Sequence, residues 1–188
     1  MFGNALALVN HETMRMRNWL ATGLERLHHL LLPPICLLCG ATGAAGRDLC
    51  AGCAADLPRN RHACAICALP LPVDQAGPCS PCCSQPPDYD RAFASFCYRP
   101  PVDFLIRRLK FNGRLSHARL LGELFADARA ECGGPWPDCI LPVPLHPLRL
   151  RERGFNQALE LARAAAHRFQ IPLVAEGLQR IRYTTPQT

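Results

Sequence analysis

The residues best suited to chemistry in this sequence are eight cysteines, arranged as four CxxC hooks. Each hook places two thiols on one tight turn, and successive hooks begin 14 to 15 residues apart. Two such turns supply the four sulfur ligands that zinc takes in a closed tetrahedral site. The sequence therefore predicts two bound zinc ions. The predicted ligands are Cys36, Cys39, Cys50, Cys53, Cys64, Cys67, Cys79 and Cys82.

Paired cysteines have two other common uses, namely a redox site and the disulfides of a secreted protein. Residues 1–32 lack the apolar run and small-residue cleavage site of an export signal. The hooks lie among glycines and prolines with few large apolar residues, so a bound ion must supply folding energy. We therefore expect reduced cysteines and a cytoplasmic protein.

The pairing of the hooks is open from the sequence alone. Sequential pairing gives two consecutive zinc ribbons, whereas crossed pairing gives an interleaved module, and the short connections favour the sequential arrangement. Cys83 is an alternative ligand to Cys82, although the CxxC spacing favours Cys82. Of the cysteines outside the hooks, Cys97 and Cys139 lie in strand-like runs, where we expect them to be buried as small apolar residues.

Composition places the chain among globular proteins with a moderate preference for anionic partners. It is 49% hydrophobic and 19% charged, with a formal net charge of +6. No run of about 18 apolar residues occurs, so we expect no membrane span. Residues 99–119 carry six basic residues and one acid, Asp103, which fits either solvated helix faces or a surface that attracts phosphate.

The order of the predicted elements indicates three parts: an N-terminal helix in residues 1–34, the zinc region in 35–87 and an α/β body in 88–188. In the body, strands are predicted at 91–98, 138–143 and 171–174, and helices at 102–111, 116–130 and 155–169. Strand, loop, helix and strand form half of a doubly wound sheet, in which ligands bind at the carboxyl ends of strands. The loop 144–154 is basic and enters a helix, which suits phosphate.

At these motifs the sequence resembles the ComF family of competence-associated, phosphoribosyltransferase-like proteins. The matching segments are the cysteine hooks, 109–113 (LKFNG), 142–146 (PVPLH), 153–158 (RGFNQA) and 180–187 (RIRYTTPQ). The resemblance implies an α/β fold with an N-terminal double zinc-ribbon region, followed by the first part of a type I phosphoribosyltransferase-like (Rossmann-like) domain. It also implies that phosphoribosyl pyrophosphate, with magnesium, binds through its pyrophosphate end. The residues implied for that end are Leu145, His146, Arg149, Arg151, Arg153, Gly154, Asn156 and Gln157.

The chain departs from the enzyme pattern at the ribose-phosphate signature, which is an apolar strand ending in two acids before a Gly/Thr-rich turn. No Asp-Asp pair occurs in the sequence, and Thr184 and Thr185 precede a proline without the expected strand. We interpret the chain as the first part of a longer family member or as a degenerate member, and we expect no catalysis from it alone.

Two functions from different classes follow. The first is a binder of phosphoribosyl pyrophosphate or pyrophosphate, associated by resemblance with DNA uptake and natural transformation. The alternative is a zinc-ribbon module that binds single-stranded DNA or a DNA-uptake protein without catalysis, with Phe93, Phe96 and Tyr98 as base-stacking surface. Aromatics of a core strand are the simpler interpretation of those three residues.

Overall fold

The computed structural model describes residues 33–184. The N-terminal helix expected in residues 1–34 and the end of the 180–187 motif fall largely outside the described residues. The chain divides into two compact units, Met1–Ala51 and Gly52–Thr188. The described residues contain six α-helices: α1 (Ala51–Ala55), α2 (Ser80–Ser84), α3 (Val102–Asn112), α4 (Leu115–Cys132), α5 (Pro147–Arg153) and α6 (Gln157–Phe169). None of them is long and apolar enough to cross a membrane.

Helices α3, α4 and α6 confirm the three helices predicted in the body. Helix α3 ends at Gly113, which adopts the left-handed conformation that closes a helix (φ 61°). Its buried stripe of Val102, Leu105 and Leu109 follows the spacing of three and four residues read from the sequence. Helix α6 begins two residues later than predicted, because the Asn156 side chain accepts a hydrogen bond from the Ala158 N–H and so caps it.

Helices α4 and α6 pack closely on each other through Gly122. A Cβ atom at this position would lie 2.7 Å from the Leu161 carbonyl oxygen and 2.8 Å from the Ala164 Cβ. Both distances are too short for a real side chain, so the two helices can approach this closely only because residue 122 is glycine. Leu105 and Leu120 are almost completely buried in the helical core.

The three predicted strands are not formed as strands. Within the described residues, only isolated bridges occur: residues 91–98 contribute an antiparallel bridge of Phe96 to Arg59, and Ile140 forms a parallel bridge with Leu173. The Ile140 N–H donates to the Pro172 carbonyl (2.8 Å), and the Val174 N–H donates to the Ile140 carbonyl (3.0 Å). The parallel direction agrees with the predicted strand–helix–strand unit, but the α/β sheet is not established.

Proline explains why these pairings stay short. Pro58 faces the 95–97 segment, while Pro142 and Pro172 flank the Ile140 bridge, and a proline has no N–H to continue a ladder of hydrogen bonds. The sequence pattern of apolar residues predicted the segments that meet, and it overlooked the residues that limit how far they pair.

The prediction of a loop at 144–154 was wrong, because residues Pro147–Arg153 form helix α5. The signals for a helix are all present: Pro147 occupies the first turn, where its missing N–H costs nothing, and Gly154 closes the helix in the left-handed conformation (φ 78°). The His146 ring caps the start, since its Nδ1 accepts a hydrogen bond from the Leu148 N–H at 3.3 Å.

An open cavity of about 600 Å³ lies among helices α3, α4 and α6 and has a mainly apolar lining. Phe93 and Phe96 both line it, and the Phe93 ring packs edge-to-face on Phe125 with centroids 5.6 Å apart. Phe93 and Phe96 therefore pack inside the body, as the simpler interpretation predicted. Tyr98 does not, because it is 66% exposed. Cys97 and Cys139 are half-buried, so the expectation of full burial was wrong.

Candidate functional site

Two groups of four cysteines form the first candidate site. Within each group, the four sulfur atoms lie within 4.8 Å of one another. The structure brings the first hook to the second and the third to the fourth, which is the sequential arrangement favoured from the sequence. The first group is Cys36, Cys39, Cys50 and Cys53, and the second is Cys64, Cys67, Cys79 and Cys82.

The sulfur separations fit a tetrahedral zinc site. The Sγ atoms of Cys39 and Cys50 are 3.7 Å apart, as are those of Cys67 and Cys79. Four sulfurs at about 2.3 Å from one zinc ion stand about 3.8 Å from each other, whereas a disulfide needs about 2.05 Å. None of the eight cysteines is joined in a disulfide. The donor set and its spacing therefore fit zinc, which in such closed sites supplies folding energy rather than reactivity.

Backbone N–H groups aim at one sulfur in each group and stabilise its thiolate form. The Cys64 Sγ accepts hydrogen bonds from the N–H groups of Cys79 (3.2 Å) and Ile66 (3.5 Å). Backbone hydrogen bonds from Cys67 and Cys79 lower the pKa of Cys64 to about 6, against the opposing effect of burial. These thiols are consequently poised to bind a metal at neutral pH.

The first group repeats this pattern at Cys36. Burial acts to raise the pKa of Cys36, and backbone hydrogen bonds, led by those from Cys50 and Cys39, outweigh it and lower the pKa to about 6. In the second group, burial and hydrogen bonding to neighbouring thiols raise the pKa of Cys82 to about 12. One ionised sulfur thus opposes ionisation of the next, and a divalent cation at the centre removes that opposition.

Burial decides whether Cys82 or Cys83 is the ligand in the second group. Cys82 is buried inside the second group, whereas Cys83 is exposed with its Sγ 4.0 Å from the Pro78 carbonyl. Burial, followed by the charges of the second group's cysteines, raises the pKa of Tyr89, a residue that the sequence did not single out.

The second candidate site is the basic segment around helix α5. Arg149 and Arg153 stand four residues apart on this helix and therefore share a face, while Arg151 points about 200° around the axis from Arg149. Of the three arginines that the resemblance implies for the pyrophosphate end, Arg149 and Arg153 therefore share a face, and Arg151 lies on another side of the helix. Burial, followed by the charge of Arg149, lowers the pKa of Arg153, so this guanidinium lies in an environment that disfavours its own charge.

A C-terminal residue that the sequence analysis overlooked completes this surface. The Tyr183 ring lies against the His146 ring (centroids 5.1 Å apart) and the Arg149 guanidinium (5.2 Å), and its hydroxyl is 3.4 Å from a Glu152 carboxylate oxygen. Arg149 also pairs with Glu152 at 2.8 Å. Tyr183 lies about 30 residues after helix α5 in the sequence, so no local sequence pattern predicts its contacts with His146 and Arg149.

Four further residues implied for the pyrophosphate end are Leu145, Gly154, Asn156 and Gln157. Asn156 is fully engaged, since its Oδ1 caps helix α6 and its Nδ2 donates to the Val143 carbonyl at 3.1 Å. The Gln157 Nε2 is buried and has no hydrogen-bond partner among the described residues. Leu145 is half-buried, and Gly154 is exposed at the end of α5.

Comparisons with known proteins agree with the zinc region and with the competence-associated resemblance. Residues 27–86 match the double zinc ribbon domain family. The chain is 35% identical over 114 residues to the DNA utilization protein YhgH of Salmonella typhi, covering 58% of this chain and 50% of that protein. It is 34% identical over 114 residues to the protein of the same name from Escherichia coli strain K12, with the same coverage.

A third relative is Competence protein F of Haemophilus influenzae, which is 32% identical over 113 residues, or 58% of this chain and 49% of that protein. The chain thus spans about half the length of the curated relatives it matches. No solved structure matches it. The chain therefore carries an N-terminal double zinc ribbon, its two groups of four cysteines indicate two zinc ions, and its relatives confirm the predicted resemblance.

Proposed function

We propose that this protein is a phosphoribosyltransferase-like protein that takes part in DNA uptake and binds phosphoribosyl pyrophosphate through its pyrophosphate end. The names of its relatives, which refer to competence and DNA utilization, support the cellular role. The zinc ribbon is a structural and docking element in this proposal, and magnesium accompanies the pyrophosphate. Thiolate ligands require a reducing compartment, and we assign the protein to the cytoplasm for that reason.

The observation that carries the proposal is the arginine pair on helix α5. Arg149 and Arg153 share one face, and the charge of the first contributes to the lowered pKa of the second. An anion bound between the two guanidinium groups would reverse that repulsion and form charge-assisted hydrogen bonds with both. Gln157, which the resemblance implies for the same pyrophosphate end, has a buried Nε2 without a partner among the described residues, and a buried unsatisfied N–H costs about 1–3 kcal/mol unless an acceptor reaches it.

The test is titration calorimetry of the full chain with magnesium pyrophosphate and with magnesium phosphoribosyl pyrophosphate. Charge-assisted hydrogen bonds contribute about 1.5–3 kcal/mol, so Arg153→Ala should weaken pyrophosphate binding by about 10- to 100-fold. Arg151→Ala is the matched control, because it removes the same charge from the other side of the same helix and should leave the affinity within about twofold.

Equal affinity in wild type and Arg153→Ala, or no binding of either ligand by wild type, contradicts the proposal. An equal loss in the two variants also contradicts it, since that result indicates general charge attraction rather than a site on one face of the helix.

A further inference from the structure

The open cavity among helices α3, α4 and α6 has the composition of a site for a small molecule. Its volume is about 600 Å³, and its lining is mainly apolar with a few polar groups, as is usual for pockets that bind small ligands. Among the described residues, those of helix α5 do not line it. The cavity is therefore separate from the arginine pair proposed to bind pyrophosphate.

Four of the five aromatic rings in the lining already pack against other groups of the protein. The Trp136 ring stacks on Phe169 with centroids 3.9 Å apart, and the Arg129 guanidinium carbon lies 4.6 Å from the Trp136 centroid. Phe93 packs edge-to-face on Phe125. The lining also includes the aliphatic side chains of Val102, Ile106, Leu121, Leu161 and Ile171. An aliphatic chain, which needs no free ring face, suits this lining better than a flat aromatic ligand.

Two polar side chains in the lining, Ser95 and Arg129, belong to segments that meet at the cavity wall. The Phe93 ring of one segment contacts the Phe125 ring of helix α4. Ser95 follows Phe93 by two residues, and Arg129 follows Phe125 by about one helical turn. The two polar groups are thus displaced by similar distances from one shared contact.

A second contact gives the direction of that displacement. Phe96 forms a bridge with Arg59, and the Arg59 guanidinium pairs with Glu131 near the end of α4, at 3.0 Å. The segment and the helix therefore run alongside each other in the same direction. Ser95 and Arg129 consequently lie at the same end of the cavity, which we call the polar end.

Both residues of the polar end have bonding capacity that the protein leaves unused. The Ser95 Oγ is buried and has no hydrogen-bond partner among the described residues, a costly condition that a ligand oxygen would relieve. The Arg129 guanidinium donates to the carbonyl groups of Gly133 and Pro135. Carbonyl groups hold the guanidinium in place without neutralising its charge, and no carboxylate in the described part of the chain pairs with it.

We propose that this cavity binds an aliphatic carboxylate of medium chain length, that is, a fatty acid. The carboxylate lies at the polar end, where it accepts a hydrogen bond from the Ser95 hydroxyl and pairs with the Arg129 guanidinium. The hydrocarbon chain lies along the aliphatic lining, and its removal from water supplies binding free energy in proportion to the apolar area buried. The site is independent of both cysteine groups and of the proposed binding of pyrophosphate.

The test is a fluorescence titration of the full, zinc-loaded chain with sodium decanoate below the concentration at which it forms micelles. Trp136 is the only tryptophan left in a Trp19→Phe background, and it lines the cavity while remaining 43% exposed. Decanoate should move its emission to shorter wavelength as water leaves the ring, with saturation at one decanoate per chain. Decanol is the uncharged comparison and should bind more weakly.

Arg129→Gln tests the charge at the polar end. It should weaken decanoate binding by about 10- to 100-fold, as loss of a charge-assisted hydrogen bond does, and should leave the affinity for decanol within about twofold. The matched control is Arg163→Gln, which removes a 60% exposed cation of α6 that does not line the cavity and should bind decanoate as wild type does. Pyrophosphate binding by Arg129→Gln should be unchanged.

Two further variants separate the binding site from the fold. Ser95→Ala should weaken decanoate binding by about 10-fold, yet its stability without ligand should equal or exceed that of wild type, because the hydroxyl has no partner to lose. Ala162→Leu adds volume inside the cavity and should abolish decanoate binding. Thermal unfolding and zinc content should show that both variants are folded.

Three results overturn the proposal. The first is the absence of saturable decanoate binding by wild type. The second is an equal loss of decanoate affinity in Arg129→Gln and Arg163→Gln, which would indicate general charge attraction. The third is a dimer in analytical ultracentrifugation that decanoate does not dissociate and that Ala162→Leu abolishes, which would assign the cavity to a second copy of the chain.

Discussion

The two zinc ribbons are the same backbone built twice with different side chains. In the first, the Cys36 N–H donates to the Ala41 carbonyl and the Gly40 N–H to the Cys36 carbonyl; 28 residues later, Cys64 repeats both bonds with Leu69 and Ala68. The second hook of each ribbon leads into a five-residue helix, α1 or α2. The ligand-bearing turns are therefore specified by the hooks rather than by the residues around them.

The ribbons differ in burial and at one backbone position. Three of the four cysteines are buried in the second group, compared with one in the first, where Cys39 is exposed. The left-handed residue that closes the first hairpin is Gly40 (φ 77°), and in the second hairpin it is Ala68 (φ 59°). The second ribbon thus encloses its site more completely, and at this one turn it accepts a left-handed alanine where the first ribbon has glycine.

The largest expected effect comes from removing a buried ligand. We expect Cys64→Ser to release one zinc ion per chain and to unfold the second ribbon, because a structural zinc site contributes about 10–16 kcal/mol of binding free energy at pH 7. Zinc content by elemental analysis and hydrogen exchange of residues 62–85 measure the two effects.

The matched control is Cys83→Ser, which changes the exposed neighbour of a ligand and should retain both zinc ions. Loss of zinc from Cys83→Ser, or full zinc content in Cys64→Ser, would show that the second group has been assigned the wrong ligands.

Acid should release zinc from both ribbons over a similar pH range. Cys36 and Cys64 each have a pKa lowered to about 6 from the usual 9.0. A lowered pKa contributes binding that is fully present above 9.0 and is lost as the pH falls through about 6. Zinc release, followed with a chromophoric chelator, should therefore increase below pH 6.

A chelator at neutral pH should remove the two zinc ions at different rates. The exposed Cys39 gives a chelator access to the first group, so its zinc should leave before that of the second. A single release rate for both ions at pH 7 would contradict the difference in burial.

The strain at Ala68 should be measurable as a small gain on substitution. Ala68→Gly removes a left-handed alanine, which costs about 1–2 kcal/mol, but it adds freedom to the unfolded chain, so we expect a net stabilisation of about 0.5 kcal/mol. Gly40→Ala is the reverse change, and a Cβ there meets no neighbouring atom, so only backbone strain should appear as a loss of about 1 kcal/mol.

Urea unfolding with zinc in excess measures both changes. A stability change of the same sign in the two variants would mean that the equivalent turns do not have equivalent backbones.

Sites defined by local spacing could be predicted well from the sequence, and sites defined by distant contacts could not. The hooks indicated the cysteine groups because two residues between thiols place both sulfurs on one turn, whatever the rest of the fold. The helices α3 and α4 could also be predicted from the spacing of their apolar residues, and Gly113 marked the end of α3. In contrast, Tyr183 reaches His146 and Arg149 only through the folded body.

Two misreadings both involve proline, whose fixed φ and missing N–H do not show in a pattern of apolar residues. At Pro147 it starts helix α5, so a predicted loop is a helix that separates Arg151 from its neighbours. At Pro142 and Pro172 it limits the pairing around Ile140 to a single bridge. The apolar pattern identified which segments meet, and the backbone donors determined how much structure they form.

The number of zinc ions in the purified protein tests the central claim most directly, since the duplicated ribbons require one ion for each group of four cysteines. Elemental analysis of the full chain, purified without added metal or chelator, should give two zinc ions per chain. A ratio at or below one would contradict the account, because the two backbones could then no longer be regarded as two equivalent metal sites.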